Sequence, residues 1–344
     1  MWVVSCTADG GTRLEARAVL DPGPGEALLE LLCCGLCGTD LFKLANANER
    51  EGTVLGHEVV GTVVAVGRGV SSPNLGQRVV VPHHVACGRC PLCARGSETL
   101  CPTFKENLLA PGGFAEYVLV RERAVQRAAW VVPGHVPDAA AAFLEPAACV
   151  LRGLDKATLR VEDGCVVVLG AGSMGLLHLL LVRSLLPQVR VVVCDPMEPR
   201  RRTALTLGAS VACATGVELE AAVRDASAGL GADAVFDTVG GRAALRTSLA
   251  VARGGGTVVL FAHAAEGELA DYELNPFFKT EQRVVATYSG AVAEQQRVAE
   301  LLASGRFDPA PLVTHRLPLS RFDEAVHLCR EREALKILLE PVDA

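Results

Sequence analysis

The spacing of hydrophobic residues changes character near residue 147 and again near residue 290. Between residues 26 and 132, short runs such as ALLELL, VVGTVVAVG and AEYVLV are separated by Gly and Pro, a pattern typical of strands joined by turns. From residue 147 to 290, runs such as CVVVLG, VRVVVC and ADAVFDTV alternate with helix-like stretches. The first pattern predicts an irregular, mostly antiparallel β domain, and the second predicts a doubly wound parallel sheet.

Length, charge and composition exclude several classes of protein. The 344 residues are 50% hydrophobic, enough for a large core divided into about two domains. With 33 basic and 39 acidic residues and only 4% aromatics, the chain is not expected to bind nucleic acid. Residues 165–182 lack Asp, Glu, Lys and Arg, but GAGSMG interrupts them, and no membrane span is expected. MWVVSCTADG is not an export signal, so we expect a cytoplasmic protein.

Four cysteines lie close together at Cys87, Cys90, Cys93 and Cys101, with the spacing C-x2-C-x2-C-x7-C. Four thiolates at such spacing suit a tetrahedral zinc ion that is closed to substrate and therefore structural. Disulfides are the alternative, but the chain has 13 cysteines, an odd number, and a reducing compartment is expected. We therefore interpret residues 87–101 as a structural zinc lobe that anchors a loop away from the chemistry.

A glycine-rich loop follows the hydrophobic run CVVVL and precedes a hydrophobic helix-like stretch. Its residues are Gly170, Ala171, Gly172, Ser173, Met174 and Gly175. The first glycine permits a tight turn, the second lets the backbone approach a diphosphate, and the third allows close packing of helix and strand. The diphosphate would bind the free N–H groups at the helix N-terminus. This arrangement predicts a dinucleotide cofactor.

The next hydrophobic run ends in Asp195, twenty residues beyond Gly175, where a carboxylate can accept both ribose hydroxyls of the adenosine half. A 2′-phosphate would be repelled there, which favours NAD(H) over NADP(H). Arg200, Arg201 and Arg202 could instead favour the phosphorylated cofactor. With Asp195 present we interpret them as residues of a helix surface, of which Arg200 is the candidate for a cofactor contact.

A second possible metal site lies upstream of the cysteine lobe. Cys37, His57 and Glu58 offer the mixed ligands of a catalytic zinc, which keeps one position open for water or substrate. Glu145 could supply or exchange a fourth ligand, and Asp40 could accept a hydrogen bond from the ring of His57. Taken singly, each of these residues has a simple structural explanation, such as a buried thiol or a solvated charge.

Together these motifs resemble those of the zinc-containing medium-chain dehydrogenase/reductase superfamily, with a pattern like its polyol and threonine dehydrogenases. The resemblance covers nearly the whole chain, and the segments that carry it are GLCGTD, GHEVVGTVVAVG, the cysteine lobe, GGFAEY, GAGSMG and LPLSRFDEA. It implies a GroES-like catalytic domain formed by residues 1–147 and 291–344, with a Rossmann NAD-binding domain at 148–290.

The resemblance also implies roles for individual residues. Two zinc ions are expected per chain, a structural one in the lobe and a catalytic one on Cys37, His57 and Glu58, with Glu145 as a variable fourth ligand. Thr39 matches a hydroxyl that hydrogen-bonds the substrate oxygen, and Lys336 matches a basic position that can approach the cofactor pyrophosphate. Relatives form dimers or tetramers, and pairing is expected near residues 286–289.

The activity implied is hydride transfer between NAD(H) and a secondary alcohol or polyol, or the corresponding ketone. Phe42 departs from the family pattern, because many relatives have a proton-relaying histidine three residues after the position of Thr39. One interpretation is that the relay varies. The alternative is an NADH-dependent reductase of a C=C bond conjugated to a carbonyl, such as an enoyl thioester, although such reductases usually lack the metal ligands retained here. A non-catalytic nucleotide-binding relative is a third possibility.

Overall fold

A computed structural model describes residues 1–45, 50–160 and 164–342. It divides the chain into two compact units, unit 1 comprising Met1–Pro146 with Ala291–Ala344, and unit 2 comprising Ala147–Gly290. The expected boundary after residue 147 differs by one residue from this division.

The elements are numbered in chain order. The strands are β1 Trp2–Cys6, β2 Thr12–Ala16, β3 Ala27–Gly35, β4 Glu58–Val66, β5 Arg78–Pro82, β6 Leu109–Ala110, β7 Tyr117–Val120, β8 Trp130–Val131, β9 Cys165–Leu169, β10 Arg190–Cys194, β11 Val211–Cys213, β12 Ala232–Asp237, β13 Ala252–Leu260, β14 Arg283–Ala286, β15 Val313–Pro318 and β16 Lys336–Glu340. The α-helices are α1 Gly38–Ala45, α2 Pro91–Ala94, α3 Glu122–Ala128, α4 Asp138–Ala141, α5 Leu144–Ala157, α6 Ser173–Leu185, α7 Glu198–Thr206, α8 Val217–Ala226, α9 Gly241–Val251, α10 Leu274–Thr280, α11 Val292–Ala303 and α12 Phe322–Arg330.

Unit 1 is built on a mixed sheet in which strands from both ends of the chain pair. Its main path among the described residues is β15-β16-β3-β4-β5-β8, with β7 paired to β3 and β6 paired to β7. The pairs β3–β4 and β4–β5 are antiparallel, as the pattern of short hydrophobic runs predicted. β16 pairs antiparallel with β3, so the last strand of the chain lies beside the strand that leads to Cys37.

Unit 2 contains a parallel sheet with the order β11-β10-β9-β12-β13-β14 in the part of the chain that the structure describes. The order reverses between β9 and β12, and ligands of open α/β sheets bind beyond the carboxyl ends of strands at such a point. Every residue of β9 is buried, as expected for a central strand covered on both faces. The predicted doubly wound domain is therefore present, and the glycine loop begins at its topological switch point.

The hydrophobic stretch after β9 is the buried helix α6, which explains its membrane-like composition. His178 in this helix is fully buried, lies 4.6 Å from the Phe261 ring between centroids, and contacts the Met174 carbonyl oxygen through Nδ1 at 2.7 Å. Burial lowers the pKa of His178 to about 4, so the ring is neutral in the core near pH 7. Across the described ranges, no helix combines the length and hydrophobicity that a bilayer span requires.

Candidate functional site

A candidate metal centre forms where β3 and β4 meet in unit 1. Cys37 follows β3 directly before α1, while His57 and Glu58 stand at the start of β4, whose register pairs Glu58 with Gly35. One ligand atom from each of Cys37, His57 and Glu58 lies within 4.8 Å of the other two. A thiol, an imidazole and a carboxylate are the donor set that zinc accepts, so the chemistry of these residues fits a zinc ion.

Asp40 supports the histidine of this group. Its Oδ1 lies 3.4 Å from Nδ1 of His57, and its two oxygens also accept hydrogen bonds from the backbone N–H groups of Gly56 at 3.3 Å and Cys37 at 3.0 Å. Burial disfavours the charged form of both groups, but their mutual attraction holds the pKa of Asp40 below its usual value and the pKa of His57 well above it. This contact fixes the ring through Nδ1 and leaves Nε2 for a metal, the arrangement expected of a ligating histidine.

Glu58 is held by a buried ion pair. Nζ of Lys336 lies 2.8 and 2.7 Å from the two carboxylate oxygens, and the side chains are 4% and 0% exposed. The carboxylate is packed so closely that a Cβ on Gly35 would lie 1.8 Å from its Oε2. An ionised carboxylate has about four lone-pair sites. The two hydrogen bonds from Lys336 occupy two of them, so two remain for a metal ion.

These contacts give Lys336 a partner that the sequence did not predict. Besides the two bonds to Glu58, its ammonium donates to the Leu36 carbonyl oxygen at 3.3 Å, so each of its three hydrogens has an acceptor. The residue is 3% exposed. Lys336 therefore belongs to the group of residues around Glu58, and its approach to a pyrophosphate stays a prediction.

The remaining predicted residues of the centre lie on helices. Thr39 is exposed in the first turn of α1, and Phe42, one turn later, is 51% exposed. Glu145 is buried in the first turn of α5, but among the described residues it does not belong to the group of close ligand atoms. Its role as a fourth ligand stays a prediction.

The four cysteines of the lobe converge as their spacing predicted. Ligand atoms of Cys87, Cys90, Cys93 and Cys101 all lie within 4.8 Å of one another, and the sulfurs of Cys90 and Cys93 are 3.5 Å apart. All thirteen cysteines of the chain are free thiols, so the disulfide alternative is not what the structure contains. Four converging thiols fit a closed tetrahedral zinc site.

The glycine loop of unit 2 has the shape of a phosphate cradle. Gly170 has a φ of 92°, and a Cβ on Gly175 would lie 1.8 Å from the Gly170 carbonyl oxygen, so both positions require glycine. Helix α6 begins after Gly172 with no side-chain cap, and the buried hydroxyl of Ser173 has no hydrogen-bond partner among the described residues. Uncapped N–H groups and an unpartnered hydroxyl fit a bound diphosphate.

Asp195 connects the end of β10 to this loop. Its Oδ2 accepts a hydrogen bond from the Ala171 N–H and its Oδ1 accepts one from the Met197 N–H, both at 2.8 Å. Arg200 reaches over the loop, since a Cβ on Gly172 would lie 3.7 Å from its Nη1. Arg201 instead donates to the carbonyl oxygen of Asp195 at 2.8 Å.

Arg202 pairs with Glu198 at 3.1 Å and is the surface residue expected. Of the three arginines, Arg200 alone is therefore shown at the glycine loop.

The sequence alone did not decide whether His83 and His84 line a cleft or end a strand, and the structure places them beside the metal centre. The ring of His83 lies 4.5 Å from the ring of His57 between centroids, and the tilted rings of His83 and His84 are 3.6 Å apart. The adjacent pair of histidines before the cysteine lobe was the only signal, and a role at the end of a strand explained it equally well.

Comparison with known proteins decides the family. Residues 23–130 match the alcohol dehydrogenase GroES-like domain, and residues 174–304 match the zinc-binding dehydrogenase domain. An L-threonine 3-dehydrogenase from Pyrococcus furiosus is 30% identical over 340 residues, covering 95% of this chain and 94% of that enzyme. The chain belongs to the zinc-containing medium-chain dehydrogenase/reductase superfamily.

Other members of the superfamily agree over the same length. A sorbitol dehydrogenase from Halalkalibacterium halodurans is 29% identical, covering 94% of this chain and 93% of that enzyme. The solved structure of alcohol dehydrogenase TADH from Thermus sp. ATN1 is 29% identical with a TM-score of 0.87, covering 99% of this chain and all of that one. The predicted GroES-like and Rossmann fold is thereby confirmed, and the relatives are zinc-containing oxidoreductases.

The pair of Lys336 and Glu58 predicts a measurable coupling. In chelator-treated protein, Lys336→Met should lower the free energy of unfolding by about 3 kcal/mol, because it leaves a buried carboxylate without a cation. The double variant Lys336→Met/Glu58→Gln should lose less free energy of unfolding than the two single variants lose together. Urea unfolding at neutral pH measures this free energy for the parent, the two single variants and the double variant. Lys336→Arg is the conservative control, and strictly additive losses would contradict the pairing.

Proposed function

We propose that this protein is a zinc-dependent oxidoreductase that transfers a hydride between NAD(H) and a secondary alcohol or polyol, or the corresponding ketone. The observation that carries the proposal is the group formed by Cys37, His57 and Glu58, in which each of the last two residues has its own buried partner. The relatives named for sorbitol and threonine dehydrogenation support an alcohol or polyol as the substrate class.

The residues of the chain hold and orient the reacting groups. Cys37, His57 and Glu58 would hold a zinc ion, and the diphosphate of the cofactor would lie on the N–H groups at the start of α6. When bound, the metal supplies a Lewis acid for the substrate oxygen and the nicotinamide supplies hydride exchange. Asp40 keeps the His57 ring in one tautomer, so the ligand nitrogen has a fixed position before substrate arrives.

Proton movement falls to Thr39 in this proposal. Its exposed hydroxyl stands at the start of α1 and, in the role that the family resemblance implies, would hydrogen-bond the substrate oxygen and accept its proton during alcohol oxidation. Phe42 cannot carry that proton further, and it is 51% exposed, so the proton passes from Thr39 to water. The variation at Phe42 then changes the route of the proton and not the bond that is oxidised.

We also propose that the cofactor is NAD(H). The carboxylate of Asp195 lies at the end of β10 beside the glycine loop, where it would accept the ribose hydroxyls and repel a 2′-phosphate. Arg200 lies over Gly172 and would face the diphosphate or the adenosine. It supplies positive charge without removing the repulsion that Asp195 creates.

A second copy of the chain is the macromolecular partner we propose. β14 is an edge strand of the unit 2 sheet as described, and an open edge can pair with its own copy about a two-fold axis. Close to it along the chain, Leu274 and Phe278 on α10 are 74% and 79% exposed. Association would cover both the open edge and these apolar side chains.

Elemental analysis and turnover test the central proposal. We expect two zinc ions per chain and NADH-linked turnover of a secondary alcohol, polyol or ketone. Cys37→Ser should reduce the zinc content to about one and lower turnover by at least about 100-fold without unfolding the protein. Cys6→Ser, outside both cysteine groups, serves as the matched control.

Two results would overturn this proposal. The first is one zinc per chain together with normal turnover in Cys37→Ser. The second is consumption of NADH with a conjugated enoyl thioester and with none of the alcohols or ketones, which would favour the C=C reductase.

Binding of NAD+ and NADP+, measured by calorimetry, tests the choice of cofactor. The parent should bind NAD+ more tightly than NADP+. Asp195→Ser should lower the affinity for NAD+ about tenfold or more, because two charge-assisted hydrogen bonds to the ribose are lost. The difference between the affinities for NAD+ and NADP+ should therefore become smaller. Arg202→Ala, on the same helix and paired with Glu198, should leave both affinities unchanged. Tighter binding of NADP+ by the parent would refute the assignment.

Light scattering coupled to gel filtration tests the second copy. We expect the mass of a dimer or tetramer, and a smaller assembly for Phe278→Lys, since a charge would be buried in the interface. Leu230→Lys, at another 74% exposed position of unit 2, is the control and should retain the parental mass. A monomeric parent would exclude the association.

A further inference from the structure

Four aromatic rings form a continuous row that starts at the metal centre. The centroid distances are 4.5 Å from His57 to His83, 3.6 Å from His83 to His84, and 5.3 Å from His84 to Phe104. The first ring belongs to a residue of the candidate metal centre, and the last ring belongs to the segment that leaves the cysteine lobe. All four residues belong to unit 1.

The far end of the row is embedded in the lobe. Phe104 is 1% exposed and forms a small hydrophobic cluster with Ala86 and Cys101, against which the other three cysteines of the lobe pack. Its backbone N–H also donates to the Cys101 carbonyl oxygen at 2.9 Å. The position of the Phe104 ring therefore depends directly on how the four cysteines are held.

Backbone hydrogen bonds tie the same segment to the two histidines. The Leu108 N–H donates to the carbonyl oxygen of His83 at 2.9 Å, and the ring of His84 is hydrogen-bonded to the backbone of Lys105. A displacement of residues 104–108 would consequently act on the His83 backbone and on the His84 ring. Close packing in a protein interior transmits such displacements instead of absorbing them.

We propose that the cysteine lobe positions the His57 ring, and with it the catalytic metal, through the row formed by Phe104, His84 and His83. In this proposal the three residues are positioning residues, because they touch no reacting atom. Asp40 holds one edge of the His57 ring, and His83 supports its face. Two independent supports restrict a ring more than one does, and misplacement of a ligand weakens metal binding.

In this arrangement the lobe is not an anchor remote from the chemistry, because it supports a ligand of the catalytic metal. This positioning role rests on the metal centre in the proposed function but does not depend on which substrate is turned over. If the row is ordinary packing, changing its rings will alter stability alone. If it positions His57, the same changes will alter release of the catalytic zinc at equal stability.

Chelator-driven zinc release from the two-zinc protein, followed with a zinc indicator, separates these cases. Two phases are expected, and the phase missing in Cys37→Ser belongs to the catalytic metal. His84→Ala opens the row, whereas His84→Phe keeps a ring in it. Phe104→Leu removes the last ring but keeps an apolar side chain, and Phe307→Leu, at a position of unit 1 that is 3% exposed, is its matched control.

We expect His84→Ala and Phe104→Leu to speed release of the catalytic zinc about tenfold, the lower end of the range for supporting residues of metal sites. His84→Phe and Phe307→Leu should stay near the parental rate. Should Phe104→Leu fail to fold, the two His84 variants still decide the question.

An unchanged catalytic phase in His84→Ala would overturn the proposal, as would equal acceleration in Phe307→Leu. A parent that holds two zinc ions but oxidises no alcohol would defeat the proposed function alone. The two failures are thus distinguishable.

Discussion

Burial of the Glu58 carboxylate against the Lys336 ammonium is the interaction on which unit 1 depends. The two residues are 278 positions apart, and neither charge could remain in the interior without the other. The pairing of β16 with β3 brings them together, and the absence of a side chain at Gly35 makes room for the carboxylate. The same contact that closes the sheet therefore sets the position of a metal ligand.

Charge balance explains why this centre suits a divalent cation. With Cys37 as a thiolate and the His57 ring neutral, as metal ligation requires, three negative groups, including Asp40 and Glu58, surround one ammonium. The excess of two negative charges is what a zinc ion neutralises. Buried groups that would repel one another in isolation thus become mutually supporting once metal is present, which links metal binding to the stability of the surrounding strands.

The parts of the site that spacing alone could predict are those confined to short segments, whereas Cys37, His57 and Glu58 were grouped by their donor chemistry and by the family resemblance. The cysteines at 87–101 and the glycines at 170–175 converge because only a turn or two separates them, so spacing alone was informative. The contact of Lys336 with Glu58 was not predicted, because it depends on how β16 registers against β3. The row of rings from His57 to Phe104 could not be predicted either, since contacts between rings of separate segments leave no periodic pattern in the chain.

The division of the chain into units has a consequence for synthesis on the ribosome. Unit 2 is one continuous segment, whereas unit 1 is completed only by the last 54 residues, Ala291–Ala344. All strands of unit 2 emerge before β15 and β16, so its sheet can close while β3 still lacks its neighbour β16. Until Lys336 emerges, Glu58 has no buried counter-ion and remains solvated. In chain order, the sheet of unit 2 is therefore complete before the pairing of β16 with β3 can place Lys336 beside Glu58.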